Sequence, residues 1–319
     1  MLDYITNEDT IIFDPKFNKS LDPEILINYK KIIFSDYDLD TKKNNIFNKI
    51  MQYNLNSNQS YDNLFNAYLN NNFNNKLWCN SQFNQPLGNS LKQLINLTHL
   101  NFGHIFNQPL DNSLDQLINL TYMTFGKYFN KPLGNSLEQL INLTNLSFGA
   151  CFNQPLSNSL DKLINLNKLE FGYDFDQPLD NLLFMLTNLS YLRLGYRFNK
   201  KLNLPFSIKI LSLECNNQNL IDSLPNTIEQ LYFDMNFGYK CNCVLTLDNL
   251  PSSIKIIIFH ERSKFNNPLN NLPKIIETLQ LPFEYNVQIK NIPIGLKKII
   301  CSKEYEFIND FIGLEIETR

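Results

Sequence analysis

Arginine is scarce in this chain: Arg193, Arg197, Arg262 and Arg319 are its only four among 319 residues. Basic residues number 28 against 31 acids, a net charge of -3, and the two signs are interspersed. Nucleic-acid binding usually leaves a basic face or stripe, so neither nucleic acid nor an anionic membrane surface is expected as a partner. Histidine is limited to His99, His104 and His260, with no cysteine or carboxylate pair beside them at ligand spacing, and no metal is expected. The six cysteines (Cys79, Cys151, Cys215, Cys241, Cys243 and Cys301) form no evenly spaced framework, so free thiols are expected. Cys241-x-Cys243 supplies two thiols, and two ligands do not make a zinc site. No apolar run approaches the ~18 residues of a membrane span. The opening MLDYITNEDT has no basic region followed by an apolar stretch, so no signal peptide is visible. G-x-S-x-G, a phosphate-cradling glycine loop and H-E-x-x-H are all missing. The expectation is an intracellular protein, not an enzyme, with no cofactor.

What the chain has is repetition. FNQPLGNSLKQLINLTHLNFGHI at 83–105 returns with small changes at 106, 129 and 152, loosens at 175, and restarts as FNKKL at 198. The starts Phe83, Phe106, Phe129, Phe152, Phe175 and Phe198 are 23 residues apart. A fixed period of this size is the signature of a solenoid.

Within one copy, Leu97-x-x-Leu100-x-Phe102 alternates inward and outward positions and predicts a short strand. Leu100 and Phe102 face the core; His99 and Asn101 face away. Gly103, Gly126, Gly149, Gly172 and Gly195 close the successive strands, which implies either positive φ or no room for a Cβ. The phenylalanines at the period starts form a stacked column. Asn84, Asn107, Asn130, Asn153, Asp176 and Asn199 follow them, and are read as a structural asparagine ladder that satisfies backbone groups of the buried turn. On the return limb Ser90 is read as a cap, and Leu91 with Leu94 as one face of a short helix. A copy has roughly seven core side chains at about 1.5–3 kcal/mol each. Ordering it costs on the order of 30 kcal/mol, so copies must stack.

The whole chain reads as one solenoid, residues 1–319, in four parts. Residues 1–79 are degenerate N-terminal repeats and a cap. There INYKKIIF at 27–34 falls on INLTHLNF at 95–102, and FNKSL at 17–21 on FNQPL. Leu77-Trp78-Cys79 is aligned as a strand before Phe83, with Cys79 inward, like Cys301. Residues 41–76 are open between a degenerate repeat and a helical insertion. Regular 23-residue repeats fill 80–197. From 198 to 301 the limb changes to a Leu-Pro series beginning at 204, 224, 250, 272 and 292, where a tight or extended limb replaces the helix. Residues 302–319 are expected to cap the last core face, with Glu315, Glu317 and Arg319 in water.

The Phe-Asn-x-Pro turn, the LPxSIxxLxF limb and the 22–23-residue period resemble the FNIP repeats, a leucine-rich-repeat relative of slime moulds and giant amoebal viruses. The resemblance implies an α/β, leucine-rich-repeat-like right-handed solenoid with a parallel sheet on its concave side and short helices or extended limbs on the convex side. It implies a viral protein in host cytoplasm if the source is viral. Some relatives carry an F-box and look like ubiquitin-ligase substrate receptors. Leu21-x-Pro23-Glu24-Ile25-Leu26 resembles an F-box opening, but the repeat match runs on through Phe34 and the F-box pattern stops.

Function is therefore sought on outward strand positions, the ones a core does not constrain. The expected role is a non-catalytic scaffold binding a protein partner through the concave sheet. A ubiquitin-ligase receptor and an extracellular adhesion or lectin-like module are the alternatives, and self-association is left open. Tyr and Arg are enriched at binding hot spots, which selects Tyr122, Tyr191, Arg193 and Tyr232, with His99, Lys168 and Glu170 beside them. The Asn-Leu-Thr and Asn-Leu-Ser strings at 96, 119, 142 and 188 match glycan acceptors and are read as chance.

Overall fold

The computed structural model describes residues 3–36, 80–179, 182–234 and 245–319. Its described residues form a continuous fourteen-stranded sheet whose strand order is the chain order. The strands are β1 (Tyr4–Asn7), β2 (Thr10–Phe13), β3 (Lys31–Phe34), β4 (His99–Asn101) and β5 (Tyr122–Thr124). Next come β6 (Asn145–Ser147), β7 (Lys168–Glu170), β8 (Tyr191–Leu194), β9 (Ile210–Leu213) and β10 (Gln230–Phe233). The last four are β11 (Ile256–Phe259), β12 (Thr278–Gln280), β13 (Lys298–Cys301) and β14 (Glu315–Thr318). Every pairing from β2 to β14 is parallel, and β1 alone runs antiparallel, to β2. One strand per period, in parallel register with its copy, is the solenoid that the period requires.

Register follows the repeat. His99 lies beside Tyr122, and Tyr122 beside Asn145. Lys31 lies beside His99, so residues 27–34 do occupy the place of 95–102. β3 and β4 are direct neighbours although 64 residues lie between Phe34 and His99. The expected strand at 77–79 lies outside the described residues. The Phe34 ring lies 4.1 Å from that of Phe83, as Phe102 lies 4.1 Å from Phe106. The flanks of the undescribed stretch meet: Asp36 Oδ1 accepts from the backbone N–H of Ser81 at 2.7 Å and of His104 at 3.0 Å. The expectations for Cys79, Cys241, Cys243 and residues 41–76 lie outside the described residues.

Two files of phenylalanine run through the core. Phe102, Phe125, Phe148 and Phe171 at the strand ends stack at 5.3–5.6 Å. Phe83, Phe106, Phe129, Phe152, Phe175 and Phe198 at the turns stack at 5.8–6.4 Å. Between them pack the buried leucines of the limb, such as Leu110, Leu114, Leu117 and Leu120. The glycine alternatives are settled by space: a Cβ on Gly126, Gly149, Gly172 or Gly195 would come within 1.8–2.4 Å of the previous glycine's carbonyl oxygen. Positive φ appears elsewhere, at Gly88, Asp111, Gly134 and Ser157, one per repeat just after the Pro-Leu.

The limb corrects the helical expectation. Over 88–97 the bonds are Ser90 N–H to Leu87, Lys92 to Asn89, Leu94 to Leu91 and Leu97 to Leu94. All span three residues, so the limb is a string of tight turns with no room to complete an α-helical turn. Ser90 does not cap a helix; its hydroxyl donates to Leu21 O in the preceding coil. Among the described residues the α-helices are α1 (Pro23–Leu26), α2 (Leu182–Met185) and α3 (Gln218–Asp222). The F-box-like stretch is α1, an ordinary limb with Leu26 in the core. The Leu-Pro limbs are tight turns as expected, for example Ile208 N–H to Pro205 O and Ile228 N–H to Pro225 O. Phe311 is buried in the core, and Glu315 and Glu317 face water, paired with Lys298.

Candidate functional site: the outer face of the sheet

Each strand places two side chains on the face turned away from the core. The register brings them into two rows, one through His99, Tyr122, Asn145, Lys168, Tyr191 and Ile210, the other through Asn101, Thr124, Ser147, Glu170, Arg193 and Ser212. The rows continue through Gln230 and Ile256, and through Tyr232 and Ile258. The sequence-selected residues are therefore brought onto one surface. Their accessibility is lower than an outward position suggests: Asn101, Thr124, Glu170, Ser212 and Gln280 are buried. Neighbouring strands lie only ~4.8 Å apart, so large side chains such as Tyr122 and Tyr191 cover the small ones beside them. Burial pushes both phenols above their usual range.

The charges on this face neutralise one another. Lys168 Nζ is 3.0 Å from Glu170 Oε1 and 4.8 Å from the centre of the Tyr191 ring. Arg193 pairs with Glu214, and the Ser212 hydroxyl donates to Asp234 Oδ2 at 2.5 Å. Glu214 stands where the earlier repeats carry glycine, one residue beyond its strand, a feature the repeat template did not single out. Burial raises its carboxyl pKa, while Arg193 pulls it back. Arg193 and Glu170 are thus largely buried in ion pairs within the face. His99 stacks on Tyr122 at 5.6 Å, and its pKa falls to about 4 through burial and then the Lys31 charge. Tyr232 is half-buried and donates its hydroxyl to Gln230 Oε1 at 2.9 Å.

Such a surface offers ring edges, amides and, around Tyr232, the side chains of Ile210, Ile256 and Ile258, with little net field. Among the described residues no group of three or more His, Cys, Asp or Glu is placed to hold a metal ion. The Cys215 thiol is pushed up to about 12 by burial, and a protonated thiol is a poor nucleophile.

Hydrogen bonds between coils fix the other polar columns. Asn84 Oδ1 accepts from Asn107 N–H at 2.8 Å, Asn107 from Asn130 at 2.9 Å, Asn130 from Asn153 at 3.0 Å, and Asn153 from Asp176 at 2.9 Å. Asp176 Oδ1 accepts from Asn199 N–H at 2.9 Å. A second file, not found from sequence, comprises Asn119, Asn142, Asn165 and Asn188, whose Nδ2 groups donate to the carbonyls of Ile95, Ile118, Ile141 and Ile164 at 2.8–2.9 Å. Three of these four asparagines head glycan-acceptor strings, so a packing requirement accounts for those strings.

A parallel strand per period, tight limbs and stacked polar columns define a leucine-rich-repeat-like solenoid. No known family profile matches the chain, and no curated protein matches it. Among solved structures it is similar to CroV588, described as a novel circular LRR protein, at 26% identity and a TM-score of 0.62. That match covers 95% of this chain and 42% of CroV588, so this chain spans less than half the length of its neighbour. It is also similar to an internalin, InlF, from Listeria monocytogenes, at 14% identity, a TM-score of 0.44, and 74% and 77% coverage of the two chains. No helix among the described residues is long and apolar enough to cross a membrane.

Proposed function

We propose that this protein is a non-catalytic scaffold of the FNIP-repeat type that binds a protein partner through the outer face of its sheet, with Tyr232 and the isoleucines around it as the anchor. One observation carries the reading: the N-terminal and central charges of that face are consumed in internal pairs, whereas Tyr232, Ile210, Ile256 and Ile258 stay partly open together. Aromatic anchors in a charge-depleted centre are what protein interfaces favour. Tyr122, Tyr191, Lys168 and His99 then act as a supporting rim. The asparagine columns serve the fold, keeping the turns of successive coils in register.

The test is affinity capture from native cells with the wild-type chain and with Tyr232→Ala/Ile256→Ser. Partners retained by the wild type and lost, at unchanged thermal stability, from the variant support the reading. Identical partner sets overturn it.

A further inference from the structure

The limb carries a second surface that the sheet face does not explain. Ile95, Ile118, Ile141 and Ile164 occupy the same place in four successive coils, each 48–53% exposed. One coil further on, α2 presents Phe184 at 52% and Met185 at 54% exposure. Beside the isoleucines, three positions earlier, Lys92 stands in the first coil and the carboxylates Asp115, Glu138 and Asp161 in the next three. Among the described residues none of these three carboxylates has an ion-pair partner. The backbone carbonyls along the isoleucine file are already taken by the asparagine amides, so the surface offers side chains and not an edge for strand addition.

We infer that this limb face, the isoleucine file with its flanking carboxylates, docks a basic amphipathic helix of a partner protein. Over the coils of Ile118, Ile141 and Ile164 the charge pattern is complementary to an apolar stripe flanked by Lys or Arg, and Lys92 marks the end of that acidic stretch. The dimensions agree as well. Coils repeat at ~4.8 Å and helical turns at ~5.4 Å, so side chains at i, i+4 and i+7 meet successive isoleucines. The stretch from Ile95 to Met185 spans four coil steps, ~19 Å, or about 13 helical residues. A second copy of this chain is the poorer occupant, because it would set Asp115 against the other copy's carboxylates. Four half-exposed isoleucines and two neighbours also fall short of the ~800 Å² per partner of a stable interface.

The experiment titrates a fluorescent 14-residue Leu/Lys amphipathic peptide, and its Leu/Glu counterpart, against the full chain. The wild type is expected to bind the Leu/Lys peptide at least tenfold more tightly than the Leu/Glu peptide. Ile118→Ser/Ile141→Ser should weaken binding at least tenfold. Asp115→Asn/Glu138→Gln/Asp161→Asn should weaken it and flatten its salt dependence. Tyr232→Ala/Ile256→Ser, the sheet-face variant, should leave it unchanged, so this inference and the proposed sheet-face function fail separately. Because the substituted side chains are half in water, the urea midpoint should hold; if the double variant unfolds, Ile141→Lys is read in its place. Binding insensitive to the isoleucines, equal binding of the Leu/Glu peptide, or a wild-type dimer in sedimentation that Ile118→Ser/Ile141→Ser dissolves would each overturn the inference.

Discussion

At Gly149 a methyl group would lie 2.1 Å from the carbonyl oxygen of Gly126, while at Gly134 it would meet nothing within 4 Å. The two glycines exist for different reasons, and substitution separates them. Gly134→Ala meets only the left-handed backbone, φ +50, and should cost about 1–2 kcal/mol. Gly149→Ala must push two coils apart and should cost more than that, roughly 3 kcal/mol or above. Comparing urea midpoints of the two variants checks the order; equal losses would contradict it. The asparagine column makes a sharper case. Asn130 Oδ1 accepts from Asn153 N–H and from Gln154 Nε2, both at 3.0 Å. Asn130→Ala strands a half-buried N–H and should cost about 1–3 kcal/mol. Asn130→Asp keeps the acceptor and should recover most of the loss, as Asp176 already does in its own coil. Titration adds a pH signature. The His99 pKa is about 4 in the fold against 6.5 for the free side chain, so the fold favours the neutral ring. Its contribution is complete above pH 6.5 and is lost as pH falls towards 4. In His99→Gln, denaturant midpoints should fall less steeply across that window; an identical slope would show that His99 does not carry the effect.

Elements join across the undescribed stretch through Asp36, which receives Ser81 and His104 N–H groups and so closes the coil that β3 begins. Asp36→Ala removes the acceptor that both N–H groups share and should cost about 1–3 kcal/mol. An unchanged urea midpoint would show that Asp36 does not close the coil. Here the limits of legibility have physical causes. The register of 27–34 on 95–102 was visible because Ile32 and Phe34 repeat the inward spacing of Leu100 and Phe102. The form of the limb was not visible. Leu91 and Leu94 fit both a helix and a chain of three-residue turns, and only the short distance back to the sheet decides. On the sheet face, the two-residue alternation puts all seven selected residues on the outward side of their strands, as the register has them. It could not show that Arg193 would be occupied by Glu214, because that contact runs between coils of different repeat styles.

Across the whole molecule, the files of Phe, Asn and Gly have one physical consequence: a coil is held by the coils on either side and by little within itself. Phe129 touches Phe106 and Phe152 at 6.1 and 6.0 Å, and Gly126 abuts Gly103 as Gly149 abuts Gly126. Such a chain should tolerate removal of one whole period and no fraction of one. The direct measurement is equilibrium urea unfolding of two deletions. Removing residues 129–151 joins Tyr128 to Phe152 with every file in register. It should unfold cooperatively, with the denaturant slope reduced by roughly 7%, in proportion to length. Removing 129–139 throws the Phe, Asn and Gly files out of line and should abolish the cooperative transition. If the two deletions behave alike, the stacking of identical coils is not what holds this protein together.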